Sequence, residues 1–355
     1  MHVAARVRSF AVLSLIGLPP SVLAIDYEAT ADASLAYSGS HYESDVMGDD
    51  SNGHSNGSWA GVSLAATQND YRAFLVYQYG FERFNESIPN AAPGDREREF
   101  FGGIASPFGT LGYGRQSSFY KQSGRDLDPF FDTSVVGFNG VFAAEGASYG
   151  LSNLTNAFND EAVAYASPVI EGFSLRLSYF MDQAANTDED YGVGLRYAPE
   201  DGPLVVGVEY LDSDGGDAVF GVGKLVPFDA VRVYGSIRWN ALALGASYER
   251  VDVENEADPR NYTLLSATYQ IMPKLTLAGT LGYLKDVVPN AAASPDGIDG
   301  EGLTLGAFYE LMPRLTTYIA ARGVRLDSDA DTETYAVGVN YAFEFELFPG
   351  FGLAR

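Results

Sequence analysis

Between Tyr335 and Phe345 the chain alternates without a break. Tyr335, Val337, Val339, Tyr341, Phe343 and Phe345 fall on one face, and Ala336, Gly338, Asn340, Ala342 and Glu344 on the other. Successive side chains of a strand point to opposite sides, so this segment predicts a strand with one apolar wall and one small or polar wall. The pattern recurs. Phe173, Leu175, Leu177, Tyr179 and Met181 oppose Ser174, Arg176 and Ser178, with Phe180 breaking the second face. Tyr191, Val193, Leu195 and Tyr197 oppose Gly192, Gly194 and Arg196, and Leu275, Leu277, Leu281 and Tyr283 oppose Thr276, Thr280 and Gly282. Alternating segments of about ten residues with aromatic ends, repeated along a chain, predict a closed antiparallel transmembrane β-barrel with lipid outside and water inside.

The connections are of two kinds. Asn69-Asp70, Pro107 to Gly109, Pro199 to Gly202, Met272-Pro273 and Met312-Pro313 predict tight turns, because proline and glycine end a ladder. Residues 39–57, 85–96, 118–158, 252–260 and 286–300 predict long polar loops. Outer-membrane barrels keep short turns on the periplasmic side and long loops outside, which puts both termini in the periplasm. Strand-like segments lie near 25–39, 57–68, 71–85, 97–106, 109–117, 159–167, 171–182, 189–198, 203–213, 216–226, 229–239, 241–254, 260–271, 274–286, 300–312, 313–327 and 333–345. That number is odd, whereas two periplasmic ends need an even one. The surplus is assigned to residues 203–254, and sixteen strands are expected, with eighteen as the alternative. Sixteen also suits a water-filled cylinder, since eight would be packed shut.

Residues 1–24 carry Arg6 and Arg8, the apolar run Phe10 to Leu18, and Val22 and Ala24 before a cut expected after Ala24. This is the order of a secretory signal, and the apolar run is too short to cross about 30 Å of hydrocarbon. The barrel is then expected over 25–345, with 346–355 as a C-terminal extension. Of 355 residues, 22 are basic and 47 acidic. Loss of Arg6 and Arg8 with the signal leaves 20 basic side chains, a mature net charge of −27, which repels nucleic acid. There is no cysteine, so stability must come from a closed hydrogen-bonded ladder.

The longest connection, 118–158, is not composed like a disordered segment. Phe119, Tyr120, Phe130, Phe131, Val135, Val136, Phe138, Val141 and Phe142 are too much apolar surface to leave in water. Folding inward against the wall would bury them and bring Asp126, Asp128, Asp132 and Glu145 into the lumen.

Two stretches add a resemblance. SPFGTLGYGRQSSFYKQSGRDLDPFFD, residues 106–132, resembles the strand, turn and constriction-loop entrance of Gram-negative general diffusion porins. NDEAVAYASPVIEGFSLRLSY, residues 159–179, is similar to their sixth and seventh strands. The resemblance implies a sixteen-stranded homotrimer in outer-membrane lipid and lipopolysaccharide, with the third external loop folded into each barrel. Small hydrophilic solutes and ions would pass, and no cofactor is needed. It places Asp126, Asp128 and Asp132 on the acidic side of the constriction and Arg115 on the basic side, although alternation sets Arg115 with Leu111 and Tyr113. Arg176 and Arg196 have polar and small neighbours on their faces and join the basic wall, with Arg72 and Arg98 as further members. The acidic charge predicts weak cation preference. In that family the last strand commonly ends on Phe; here Phe345 is followed by ten more residues.

Enzyme chemistry finds little support. Gly146-Ala147-Ser148-Tyr149-Gly150 spells a nucleophile elbow, but no histidine follows His54 to serve it. Asp45, Asp49, Asp50 and Asn52 could offer oxygens to calcium but lack the calcium-loop pattern, and are read as a solvated loop. The competing readings are a substrate-selective channel and, from another class, a secreted all-β carbohydrate-binding protein or hydrolase using paired carboxylates.

Overall fold

The computed structural model describes residues 25–44, 49–55, 58–80, 97–131, 133, 150–152, 154–155, 158–181, 190–214, 227–287, 297–327 and 331–347. The expected signal, residues 1–24, lies outside them, as does most of the tail. The described strands are β1 Asp26–Ser44, β2 Asp50–Ser55, β3 Trp59–Gln68, β4 Tyr71–Gly80, β5 Glu97–Ser106, β6 Gly109–Ser117, β7 Phe158–Ala166, β8 Phe173–Phe180 and β9 Asp190–Tyr197. They continue with β10 Leu204–Ser213, β11 Phe228–Trp239, β12 Leu242–Val253, β13 Arg260–Met272, β14 Leu275–Val287, β15 Ile298–Met312, β16 Leu315–Leu326 and β17 Thr332–Glu346. A helix, α1 Phe119–Arg125, follows β6.

Every pairing is antiparallel. β2 and β3 both lie along β1, the first against Tyr37–Tyr42 and the second against Asp26–Ser34, so together they make one stave. β17 returns to β1 in an unbroken register from Thr30↔Glu346 to Ser44↔Thr332. The result is a closed barrel of sixteen staves. Closure removes sheet edges, which hydrocarbon cannot tolerate because it offers no partner to a free N–H or C=O. The segment 216–226 lies outside the described residues. Since β10 is already flanked by β9 and by β11, with Ser213 opposite Phe228, that segment is not a stave between them.

The burial pattern is inside out, as a membrane barrel requires. Leu303, Leu305, Ile319, Val337 and Tyr335 are exposed on the outer face, whereas their neighbours Thr304, Tyr318, Ala320 and Ala336 are buried inside the cylinder. Apolar groups outside face lipid, and those inside are covered by the chain's own loop. All the expected tight turns form. In the turns after β3, β11 and β15, Asn69, Asn240 and Arg314 adopt positive φ values of 53°, 53° and 69°.

Candidate pore constriction

The chain enters the lumen immediately after β6. Ser118 caps α1, its hydroxyl accepting from the Lys121 N–H at 3.0 Å, and the helix lies against β8, β9, β10 and β11. On the wall, Arg232 of β11 and Glu249 of β12 meet it. The Arg232 guanidinium donates from Nη1 to the Tyr120 carbonyl at 2.6 Å and to Ser123 Oγ at 3.1 Å, and from Nη2 to Glu249 Oε2 at 2.8 Å. It also stands 4.4 Å over the Tyr120 ring. Glu249 in turn accepts from the Ser152 N–H and the Thr155 hydroxyl, each at 3.0 Å. One ion pair therefore holds both the inbound limb of the loop, at Tyr120 and Ser123, and the outbound limb, at Ser152 and Thr155. Charge-assisted bonds on both ions offset the cost of burying them. Burial and the Glu249 carboxylate push the Tyr120 hydroxyl well above its usual pKa, keeping it neutral.

Beyond the helix the loop stays on the inner wall. Leu127 packs with Leu151, Tyr234 and Leu264. Phe130 packs with Ala278, Tyr318, Ala320 and Ala336. Phe180, the residue that broke the alternation of its strand, points inward and joins Tyr120 in a third buried cluster, so its apolar side chain is covered by the loop. Gly150 on the outbound limb has φ +114°, and a Cβ there would stand 2.3 Å from the Thr263 carbonyl. Only glycine lets the loop lie this close to β13.

The expected constriction residues occupy different places. Asp126 is exposed at the C-terminal end of α1. Asp128 is buried, with Oδ1 accepting from the Phe130 N–H at 2.9 Å. Asp132 and Glu145 lie outside the described residues. Arg176 and Arg196 both point inward. Arg176 reaches Glu209 at 3.4 Å and stands 5.1 Å over Phe119, and Arg196 lies in register with Ser174 and Gly207. Arg115 pairs with Asp160 at 2.6 Å and donates to the Glu97 carbonyl, on the face shared with the exposed Leu111 and Tyr113. Arg72 sits beside the turn at Asn69-Asp70, bonded to Glu28 at 2.8 Å, and Arg98 lies at a bulge in β5. The structure thus brings Arg176, Arg196 and α1 to one part of the lumen and leaves Arg72 near the short-turn end.

Three groups of lumenal charge were missed by reading the sequence. Arg232 and Glu249 form the loop clamp, and Glu209 lies beside Arg176 and Tyr234. A transverse row also crosses the far wall: Glu344 pairs with Asp32, Asp32 with Gly61, Gly61 with Gln78, and Gln78 with Glu99. Like charges directly opposite one another are unfavourable, and Arg314, 3.7 Å from the exposed Glu344 carboxylate, offsets part of the Asp32–Glu344 repulsion. Alternation held the signal in each case. Arg232 lies between the outward Val231 and Val233, and an ionisable residue on the wet face of a strand faces the lumen.

Residues 23–344 match the family model described as Gram-negative porin. The chain belongs to that family. No curated protein matches this porin significantly. Among solved structures, it is similar to the anion-selective porin from Comamonas acidovorans, with a TM-score of 0.67 at 14% identity over 90% of this chain and 100% of the other. A loop L8 deletion mutant of OmpT, an outer membrane protein of Vibrio cholerae, superposes with a TM-score of 0.63 at 17% identity over 90% and 100%. Salmonella typhi OmpF, in a complex with daunomycin, gives 0.62 at 18% identity over 89% and 97%. These likenesses establish the fold of the porin. Family and barrel together make it an outer-membrane channel.

Proposed function

We propose that this porin is a general diffusion channel for small hydrophilic solutes and ions, weakly cation-selective, working as a homotrimer in outer-membrane lipid and lipopolysaccharide. The observation that carries the reading is the inward loop: a sixteen-stave cylinder is wide enough for water, and α1 and its flanking turns narrow it from within. No bond is made or broken. Solute moves down its gradient past side chains that select by size and charge. Asp126, Asp128, Asp132 and Glu145 are assigned to the loop side, and Arg72, Arg98, Arg176 and Arg196 to the wall, with Arg176 and Arg196 nearest the loop. Arg115, expected there by resemblance, lies on the outward face with Leu111 and Tyr113 and is set aside. An excess of acid at the mouths concentrates cations. The loop is taken as 118–158, the barrel as 25–345, the signal as 1–24 and the tail 346–355 as a periplasmic extension. A mature N-terminus at Ile25 is expected on sequencing.

Planar-bilayer recording in a KCl gradient tests the proposal. Ohmic steps in triplets with a cation-selective reversal potential support it. A silent bilayer removes channel function, and an anion-selective potential, as the name of the Comamonas porin describes for that protein, overturns the selectivity. Asp126→Asn, Asp128→Asn and Asp132→Asn combined should weaken the cation preference, and no change would remove the loop acids from the selecting surface.

A further inference from the structure

We infer that Phe130 is a positioning residue: seated in a trough across the inner wall, it parks the tip of the loop against β14–β17 and keeps the passage open along β3–β5. The inference rests on the loop being the constriction.

The trough is built by register. Ser40 pairs with Ala336, Ala336 with Ala320, Ala320 with Gly306 and Gly306 with Ala278, and all five positions face inward. Small residues at one level of five adjacent staves leave a shallow channel about 19 Å long, at about 4.8 Å per strand spacing. Phe308 and Tyr318, one inward position away from Gly306 and Ala320, are bulky and frame it. The Phe130 ring enters this space and is completely buried. Its centroid lies 5.6 Å from that of Phe308, which lies 5.6 Å from Tyr318. A Cβ at Gly306 would stand 2.7 Å from Phe130 Cε1, so the wall at this level has room for the ring only because residue 306 has no side chain.

The ring is delivered by a closed turn. Asp128 Oδ1 accepts from the Phe130 N–H at 2.9 Å, and the Thr133 hydroxyl donates to the Phe130 carbonyl at 2.7 Å. Toward the short-turn end, a cavity of about 320 Å³ lined by Pro129, Thr268, Gln270, Lys274 and Glu310 adjoins the tip. The seated tip thus has open space beside it, and the ring's fit to the trough holds the tip away from that space. On the adjoining stretch of wall, beyond β1, the inward Ser63, Gln78 and Glu99 of β3, β4 and β5 remain partly exposed, which is where solute passes.

The absence of native cysteine makes the test clean. Gly306→Leu fills the trough and should lower single-channel conductance by about half, with frequent closures, because the displaced tip enters the narrowest section. Phe130→Cys with Gly306→Cys should also close frequently, and bridging the pair with a short bis-methanethiosulfonate should suppress those closures. A residue that merely stabilised the barrel would give no such rescue. Wild-type conductance and gating in Gly306→Leu, or closures unaffected by bridging, would overturn the seat. If Gly306→Leu does not fold, Phe130→Ala, altered only in the loop, replaces it, and steady wild-type conductance in that variant counts against the seat. A silent wild-type protein would instead sink the channel reading itself.

Discussion

Arg232 and Glu249 face each other in register across β11 and β12 and form a 2.8 Å ion pair, with side chains 2% and 0% exposed. Arg232→Met leaves the Glu249 carboxylate buried without its counter-charge, and removing one partner of such a pair costs about 3–5 kcal/mol. Urea unfolding in detergent micelles should show a loss of that order. Arg232→Met with Glu249→Gln should recover most of it, and a double variant as unstable as the single would show that charge burial is not the cause.

Orientation of the wall can be tested at two positions of one strand. Ile319 is exposed on the outer face of β16, and Thr316 faces the lumen near Lys274 and Glu310. Ile319→Arg should destabilise the folded barrel by about 2–4 kcal/mol, the cost of a basic side chain near the bilayer midplane. Thr316→Arg should cost little in the same lipid-vesicle unfolding measurement. Equal costs would contradict the assignment of faces.

Much of this was legible because the membrane imposes a period of two. Tyr335 to Phe345, residues 173–181 and the tight turns could be read directly, since hydrocarbon on one side and water on the other leave no freedom in the pattern. The reading weakened where that constraint stops. β1 runs to Ser44 rather than 39 because, above Tyr37, its outward positions are Gly39, His41 and Glu43, no longer the side chains lipid would demand. β2, Asp-Ser-Asn-Gly-His-Ser, has a loop's composition and is held as strand by pairing with β1. The surplus segment 216–226 alternates well enough to resemble a stave, and only the pairing of β10 with β11 removes it. The inward loop was evident from its aromatic content. Its partners were not, because alternation tells which way Arg232 points and is silent on what lies across the lumen.

Asp32 and Glu344 are paired on the inner wall, on the same two strands as Ser40 and Ala336 of the trough but eight residues nearer the short-turn end. Asp32→Asn combined with Glu344→Gln removes two lumenal negative charges and should move the reversal potential in a KCl gradient toward zero, most clearly at low salt where screening is weak. An unchanged potential would take this row out of the conducting path.

Gly150 lies at a conformation that side chains resist, with the Thr263 carbonyl against its open side. Gly150→Ala should cost about 1–3 kcal/mol in strain and displacement. Limited proteolysis of the folded porin should then cut within the 118–158 loop faster than in wild type, while the barrel remains intact. Identical cleavage would mean the outbound limb does not depend on that close approach.

The seam between the first stave and the last has a bearing on how such a protein can be made. On the side away from β2 and β3, Thr30 to Ser44 find their partners in Thr332 to Glu346, at the far end of the strand order. Until those final residues have been exported, the cylinder has an unzipped flank and cannot rest in hydrocarbon. A synthesis that stops early therefore yields no smaller or leakier hole, only a sheet with nowhere to insert, and the envelope is spared half-built openings by topology alone.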